Sequence, residues 1–320
     1  MSTNANRKLA KPTLVMLPRI SDSLSFLYAD VVRIVQDDTG VCAQVDSPRG
    51  TERVYLPTAA VTCILLGPGT SITSRAISTL ARHGTSLVCV GTGGVRCYAS
   101  ILPDSLTTGW LEKQVRAWSD DTVRLDVAKR MYERRFDDTV PAGTTLAQLR
   151  GMEGQRMKSL YRMLATQHKA GRFRRNYETD NWETQDPVNL ALSAANTCLY
   201  GVVHAAIVAL GCSPALGYVH TGTQHAFVYD IADLYKARIT IPLAFSLHSS
   251  TDPERDARWR LREQFRLLKL LPTIVHDIQT LLDPTTAKSA GQPSTADLTS
   301  LWDPEAGTVP AGRNYGTDPD

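Results

Sequence analysis

The sequence predicts an α+β protein, with a small β-rich N-terminal domain followed by a larger all-α domain. Three observations carry this. Short apolar and β-branched runs, separated by Gly and Asp turns, fill residues 15–105. From about Thr107 the apolar residues recur at three- and four-residue steps instead. From Asp283 they thin out, and Pro, Gly, Thr and Asp take over. The expected organisation is a flexible arm at 1–14, domains at 15–105 and 106–282, and a disordered tail at 283–320.

In the first domain SFLYADVVRIV reads as one strand, DDTG as a turn and VCAQV as the return. RVYLP and VTCILL follow as strands, and GPGT at 67–70 is a turn. SITSRAISTLARHG predicts a short helix stopped by Gly84. SLVCV and VRCYASI flank Gly91, Thr92, Gly93 and Gly94. A dinucleotide fingerprint leads from strand to helix and a phosphate loop needs Gly-Lys-Ser/Thr. Neither pattern is present, so the glycines predict a hairpin turn.

In the second domain TTGWLEKQVRAW is one helix. Ser119 and Asp120 cap another, with Val123, Val127 and Met131 as its apolar ladder. A third runs from about Leu146 to Gln167. A fourth has Asp186 as N-cap, Pro187 at the first helical position and Gly211 past its end. It is apolar nearly all round, which marks a buried central helix. Helices near 227–237 and 253–271 complete the domain.

Of the 320 residues, 42% are hydrophobic and 21% charged, ordinary for a globular chain. No unbroken apolar run reaches the ~18 residues of a membrane span, and the N-terminus lacks a signal-peptide pattern. A cytoplasmic protein with no membrane partner is expected. Cys42, Cys63, Cys89, Cys97, Cys198 and Cys212 include no C-x-x-C pair, which argues against zinc ribbons and redox dithiols and for buried free thiols. Net charge is +3, but the stretch from Asp283 holds six acids and two bases, leaving +7 on residues 1–282. A body that basic favours a polyanionic partner.

Two clusters stand out chemically. In LRGMEGQRMKSLYRML the ladder of Leu149, Met157, Leu160 and Leu164 passes through Glu153, a carboxylate on the inward stripe. Such a charge needs a partner. A metal ion is one, and an ion pair with Arg150 or Arg156 is the structural alternative. In GYVHTGTQHAFVYDIADLYK, Asp230 and Asp233 are three apart on a helix, His220 lies in a Gly-bounded loop that could fold back over it, and Lys236 extends the face. Oxygen ligands with one imidazole suit Mg²⁺ or Mn²⁺. His225 competes for the ligand role from a more exposed position, and a solvated acidic face is the alternative to a site. His204 on the apolar helix reads as a core histidine.

Arg255, Arg258, Arg262, Arg266 and Lys269 form a basic stripe able to track phosphates, with Arg172, Arg174 and Arg175 as a second patch. Glu254, Asp256 and Glu263 interrupt the stripe.

The ordered motifs LRGMEG, NLALSAANTCLYGV, GYVHTG and FVYDIADLYK resemble the CRISPR-associated integrase of spacer adaptation, the first of the two universal adaptation proteins, in its subtype I-E form. LPRISDSLSFLYADVVRI and ILLGPGT…GTSLVCVGTGGVRCYAS are similar to the same subtype, so the resemblance spans about residues 14–282. It implies that the α-helical domain is catalytic and that Glu153, His220 and Asp233 hold the divalent metal, with Asp230 as a further acidic residue of the site. It also implies DNA-related roles for Tyr28, stacking at the end of the incoming duplex, for Arg96, and for Lys236 near the site. Implied partners are prespacer and CRISPR-repeat DNA, and a small ferredoxin-fold companion protein flanked by homodimers of this chain. One departure is Ser71, where relatives can carry arginine. Two other functions remain in view: a stand-alone metal-dependent nuclease of branched DNA, and a non-catalytic architectural DNA-binding subunit.

Overall fold

The structure is a computed structural model and describes residues 13–16, 26–47, 50–58, 61–92, 96–103, 108–171, 173–175, 186–263, 266–285, 300–303 and 307–310. It is α+β, as the sequence predicts, with strands first and helices after.

Two sheets make up the N-terminal part. Strands β1 (Thr13–Met16), β2 (Phe26–Asp30), β6 (Cys63–Leu66), β8 (Ser86–Val90) and β9 (Cys97–Ile101) form one, in the order β1-β2-β6-β8-β9. Its three central strands are parallel and each outer pair is antiparallel. Strands β3 (Arg33–Gln36), β4 (Val41–Ser47), β5 (Gly50–Tyr55) and β7 (Ser71–Ile72) form the other, in the order β5-β4-β3-β7. Helix α1 (Ser74–Arg82) connects them, N-capped by the Thr73 hydroxyl.

The run expected to be one strand is therefore two, in different sheets. The chain leaves β2 through Val31, whose φ of 56° breaks the extended path. The hairpin of β8 and β9 forms as expected, but Cys97 opposes Val90 and Cys89 opposes Ala99. The two thiols are not cross-strand partners, and all six cysteines are free.

Side-chain alternation makes the five-stranded sheet a shared wall. Phe26, Tyr28, Cys63, Leu65, Val88 and Val90 belong to the helical core. Leu27, Ala29, Ile64, Leu66 and Leu87 belong to a second core closed by the four-stranded sheet and α1. The expected boundary at 105/106 lies outside the described residues, and the helical core draws on strands that precede it.

Helix α2 (Gly109–Ser119) leads into α3 (Asp121–Phe136), capped by Asp120, whose Oδ1 accepts from the amides of Thr122 and Val123. A capping box of Thr145 and Gln148 starts α4 (Leu146–Gln167). Helix α5 (Pro187–Ala209) has its Asp186 cap and Pro187 as predicted, and fifteen of its residues are buried. Its length and composition would suit a bilayer, yet 72% of its most apolar window is buried inside the protein, the place of a core helix. Around it lie α6 (Ala226–Lys236), α7 (Thr240–Ser246), α8 (Pro253–Glu263) and α9 (Arg266–Leu282).

The helix expected near 253–271 is described as α8 and α9, and residues 264–265 between them lie outside the described residues. Two expectations are corrected here. Helix α7 goes beyond the expected set, because Thr240, Ile241 and Pro242 read against a helix. The tail expected to be disordered contains two paired strands, β10 (Ser300–Asp303) and β11 (Gly307–Pro310). Of the N-terminal arm, only residues 13–14 are described, and they belong to β1.

Candidate functional site

The site forms where α3, α4 and α6 meet the loop that precedes α6. Gly217 starts that loop and has no room for a side chain: a Cβ there would lie 2.5 Å from the His220 carbonyl oxygen and 2.8 Å from the Ala226 carbonyl carbon. Three helices then hold the loop by its carbonyls. Trp118 of α2 donates its indole N–H to Gly217 O at 3.1 Å, and Arg124 of α3 donates to Gly217 O and Tyr218 O. Arg150 of α4 donates to Val219 O at 2.7 Å.

The loop's amides converge on Asp230. Its Oδ2 accepts from the N–H groups of Tyr218 (2.5 Å) and Val219 (3.0 Å), and its Oδ1 from that of His220 (2.9 Å). Oδ1 also meets His220 Nδ1 at 2.6 Å. Asp230 is 3% exposed, and these contacts occupy both oxygens. It serves as an anchor for the loop and the imidazole. The contact assigns the Nδ1 proton and turns the other ring nitrogen outward. The Asp230 hydrogen bond outweighs desolvation and raises the His220 pKa above the ordinary histidine value.

Asp233, one turn further along α6, faces a different set of partners. Lys236 Nζ lies 2.6 Å from its Oδ1, and Arg135 Nη1 lies 3.5 Å from its Oδ2. The same Nη1 is 2.5 Å from Glu153 Oε1. Burial opposes the charged form of Lys236, but Asp233 and Tyr200 outweigh it and push its pKa above the usual lysine range. The ammonium also sits 4.9 Å from the Tyr200 ring centroid.

Glu153, His220 and Asp233 thus line one cleft of about 570 Å³, together with Arg135, Lys236 and Tyr229. The ion-pair partner of Glu153 is Arg135. The expected candidates are engaged elsewhere, Arg150 with the loop and Arg156 with Asp138. Sequence reasoning missed Arg135, although a signal was there: Val127 and Met131 step to 135 on the same inward ladder, and Arg135 is only 8% exposed. Val123, placed on that ladder by spacing, is an exposed hydrophobic instead.

The remaining predicted residues lie apart, except Arg175, which lines the same cleft. His225 is exposed and pairs edge-on with His204, ring centroids 5.1 Å apart, outside the cleft. His204 is held neutral, its pKa lowered to about 4 by burial and then by His225. Arg96 is exposed, with a left-handed φ of 68°, ahead of β9. Tyr28 is 2% exposed, packs in the helical core and donates to Asp30 Oδ2 at 2.9 Å. Even-numbered positions of β2 point into that core, so in this structure its ring has no free face to stack on a duplex end. Arg258 pairs with Glu254. The side chains of Arg262, Arg266 and Lys269 lie outside the described residues, as does Arg172. Arg175 bonds Asn189 and Ser193. Among the described residues, no group of three or more His, Cys, Asp or Glu side chains is set to hold a metal ion as it stands.

Fold and site together define an α+β protein with a half-buried acid–imidazole cleft in its helical half. A family model described as CRISPR associated protein Cas1 matches residues 133–256, the stretch from α3 to α8 that builds the cleft. The chain is 40% identical over 306 residues to the CRISPR-associated endonuclease Cas1 of a Clostridium species, covering 94% of this chain and 99% of that one. It is 39% identical over 307 residues to CRISPR-associated endonuclease Cas1 2 of Thermus thermophilus, covering 94% and 93%. The crystal structure of a TtCas1–DNA complex superposes with a TM-score of 0.75 at 39% identity, over 83% of this chain and 99% of that one. The chain belongs to the Cas1 family of CRISPR-associated proteins.

Proposed function

We propose that this chain is the metal-dependent DNA endonuclease and integrase of CRISPR spacer acquisition, in its subtype I-E form, acting in the cytoplasm. The observation that carries the proposal is the convergence of Glu153, His220 and Asp233, from α4, the 217–220 loop and α6, on one cleft. Family membership supports it, as do the names of the relatives, which are endonucleases, and the similarity to a protein solved with DNA.

The donor set fits a hard divalent cation. Two carboxylates already share a cation in Arg135, and His220 offers the nitrogen that Asp230 leaves outward. Glu153, His220 and Asp233 would hold Mg²⁺ or Mn²⁺. When bound, that ion supplies Lewis-acid activation of a 3′-hydroxyl and neutralisation of the phosphoryl oxygens. The protein's own groups do the rest. Asp230 fixes the imidazole, Lys236 sets the Asp233 carboxylate, and the strapped loop prevents His220 from wandering. The reaction is a transesterification: the prespacer 3′-oxygen forms a bond to a repeat phosphorus as the repeat's own P–O bond breaks. With water as nucleophile the same site cuts DNA.

DNA would be held mainly through phosphates, with salt-sensitive affinity. Arg96 and Arg258 are the described candidates, and Arg262 and Arg266 the remaining ones. The working assembly would be a homodimer joined to the small ferredoxin-fold companion. The test is strand transfer of a labelled prespacer. His220→Ala and Asp233→Ala should lose joining and retain DNA binding, and wild-type turnover by either would overturn the assignment. Cutting of branched DNA that needs no companion, with no joining when the companion is added, would indicate a stand-alone nuclease. One observation favours the architectural reading, namely that Glu153 and Asp233 are both ion-paired within the protein. DNA binding with no metal-dependent cutting or joining would support that reading.

A further inference from the structure

We infer that the Arg135 guanidinium holds the divalent-cation position between Glu153 and Asp233, and that a metal ion enters only by displacing it. The inference rests on the metal reading above and concerns Arg135, which is not one of the metal-holding residues of that reading.

Two carboxylates held close in a partly buried site cannot both stay ionised at little cost without a cation between them. Here that cation is a single nitrogen. Arg135 Nη1 reaches Glu153 Oε1 at 2.5 Å and Asp233 Oδ2 at 3.5 Å. Lys236 touches Asp233 and forms no ion pair with Glu153, so it cannot do the same work.

The rest of the guanidinium has only weak partners, among them the Phe136 ring, whose centroid lies 5.1 Å from Cζ. Nη2 has a methionine thioether, Met157 Sδ, at 3.4 Å, a weak acceptor. Nε is buried without a hydrogen-bond partner. An arginine settled in a permanent ion pair spends two nitrogens on one carboxylate in a fork. This one spreads one nitrogen over two carboxylates. The pocket demands positive charge there, and a guanidinium is a poor fit to it.

Arg135 also has somewhere to go. It lines a second open groove of about 570 Å³, shared with Phe136, Arg156 and Arg238. A displaced guanidinium can move toward solvent there without unfolding α3. Arg135 is therefore a positioning residue: it keeps Glu153 and Asp233 together in the metal-free protein, and its departure costs some of the metal's binding energy.

The two possible roles of Arg135 predict opposite signs. A merely structural arginine, once removed, would leave the site distorted and metal binding weaker. A placeholder, once removed, takes the Glu153 counter-charge with it, leaves Asp233 paired with Lys236 alone, and gives tighter binding. The experiment is calorimetric titration of the full chain with Mn²⁺, alongside thermal melts with and without the ion. Arg135→Gln should bind Mn²⁺ about tenfold tighter, equivalent to about 1.4 kcal/mol. It should melt lower without metal and gain more from Mn²⁺ than wild type does. Arg135→Lys, which reaches only one carboxylate, should fall between the two, and it carries the test alone if Arg135→Gln does not fold. Equal or weaker Mn²⁺ affinity in the folded variants overturns the inference and leaves the metal reading intact. No Mn²⁺ binding by wild type or by any variant overturns both.

Discussion

His220 Nδ1 lies 2.6 Å from Asp230 Oδ1, and the backbone N–H of His220 reaches the same oxygen at 2.9 Å. Main chain and side chain of one residue are thus tied to a single carboxylate atom across the gap between a loop and a helix. The spacing of ten residues is legible in the sequence, but this double contact is not. It divides the work of the two α6 aspartates: Asp230 builds the loop and Asp233 faces the cleft.

Asp230→Asn should therefore damage structure before chemistry. An amide keeps the shape but replaces one acceptor oxygen with a donor and removes the charge that the loop amides point toward. The expected loss is about 2–4 kcal/mol of folding stability, read from urea melts. The His220 pKa, raised chiefly by this bond, should fall back toward the ordinary value in an NMR titration. An unmoved His220 pKa would contradict the pairing.

Gly217→Ala tests the tightness of the loop. The added methyl meets backbone atoms at 2.5 and 2.8 Å, and these cannot rotate away. A destabilisation of about 1–3 kcal/mol is expected, with displacement of His220 visible in its NMR shifts. A variant as stable as wild type would mean that the loop has slack.

Acid sensitivity should trace in part to His204. Its folded pKa, lowered to about 4 by burial and His225, is below the unfolded value of about 6.5. Between those values the unfolded chain binds more protons, so stability rises with pH there and is lost as pH falls from about 6.5 toward 4. Above that window the residue contributes no pH dependence. His204→Gln should flatten the stability–pH curve in the window, measured by denaturant melts at stepped pH. An unchanged slope would remove His204 from the account.

Asp277, in α9, joins three helices. It is 3% exposed, accepts from the Tyr235 hydroxyl of α6 at 2.5 Å and pairs with Arg134 of α3. Asp277→Ala strands a buried phenol and should cost about 2–4 kcal/mol. Tyr235→Phe paired with Asp277→Ala should cost less than the sum of the single changes. Strict additivity in that double-mutant cycle would show the two groups to be uncoupled.

Sequence patterns are reliable where one local rule acts alone. Asp186 and Pro187 announce α5, and Asp120 announces α3, because caps are satisfied within one turn of the chain. They fail where distant packing decides. No local rule separates β2 from β3 at Val31, since Val disfavours the positive φ that the switch between sheets imposes. The burial of Tyr28 follows from which face of β2 meets the helices, which composition does not state. Glu153 is visible as a charge on an apolar ladder. Its partner Arg135 stands on an equivalent ladder, but pairing them needs the packing of α3 on α4.

The shared wall of β2, β6 and β8 has a bearing on inheritance. Leu27, Ile64 and Leu87 answer to the four-stranded sheet, while their immediate neighbours Phe26, Leu65 and Val88 answer to the helices. A recombinant that took its first hundred residues from one ancestor and the remainder from another would set foreign rows of Phe26, Leu65 and Val88 against the helical bundle. The crossover that travels safely is smaller. The ribbon of β4 and β5 bears on one core alone, so that segment can diverge or be traded between lineages without asking the helical half to change.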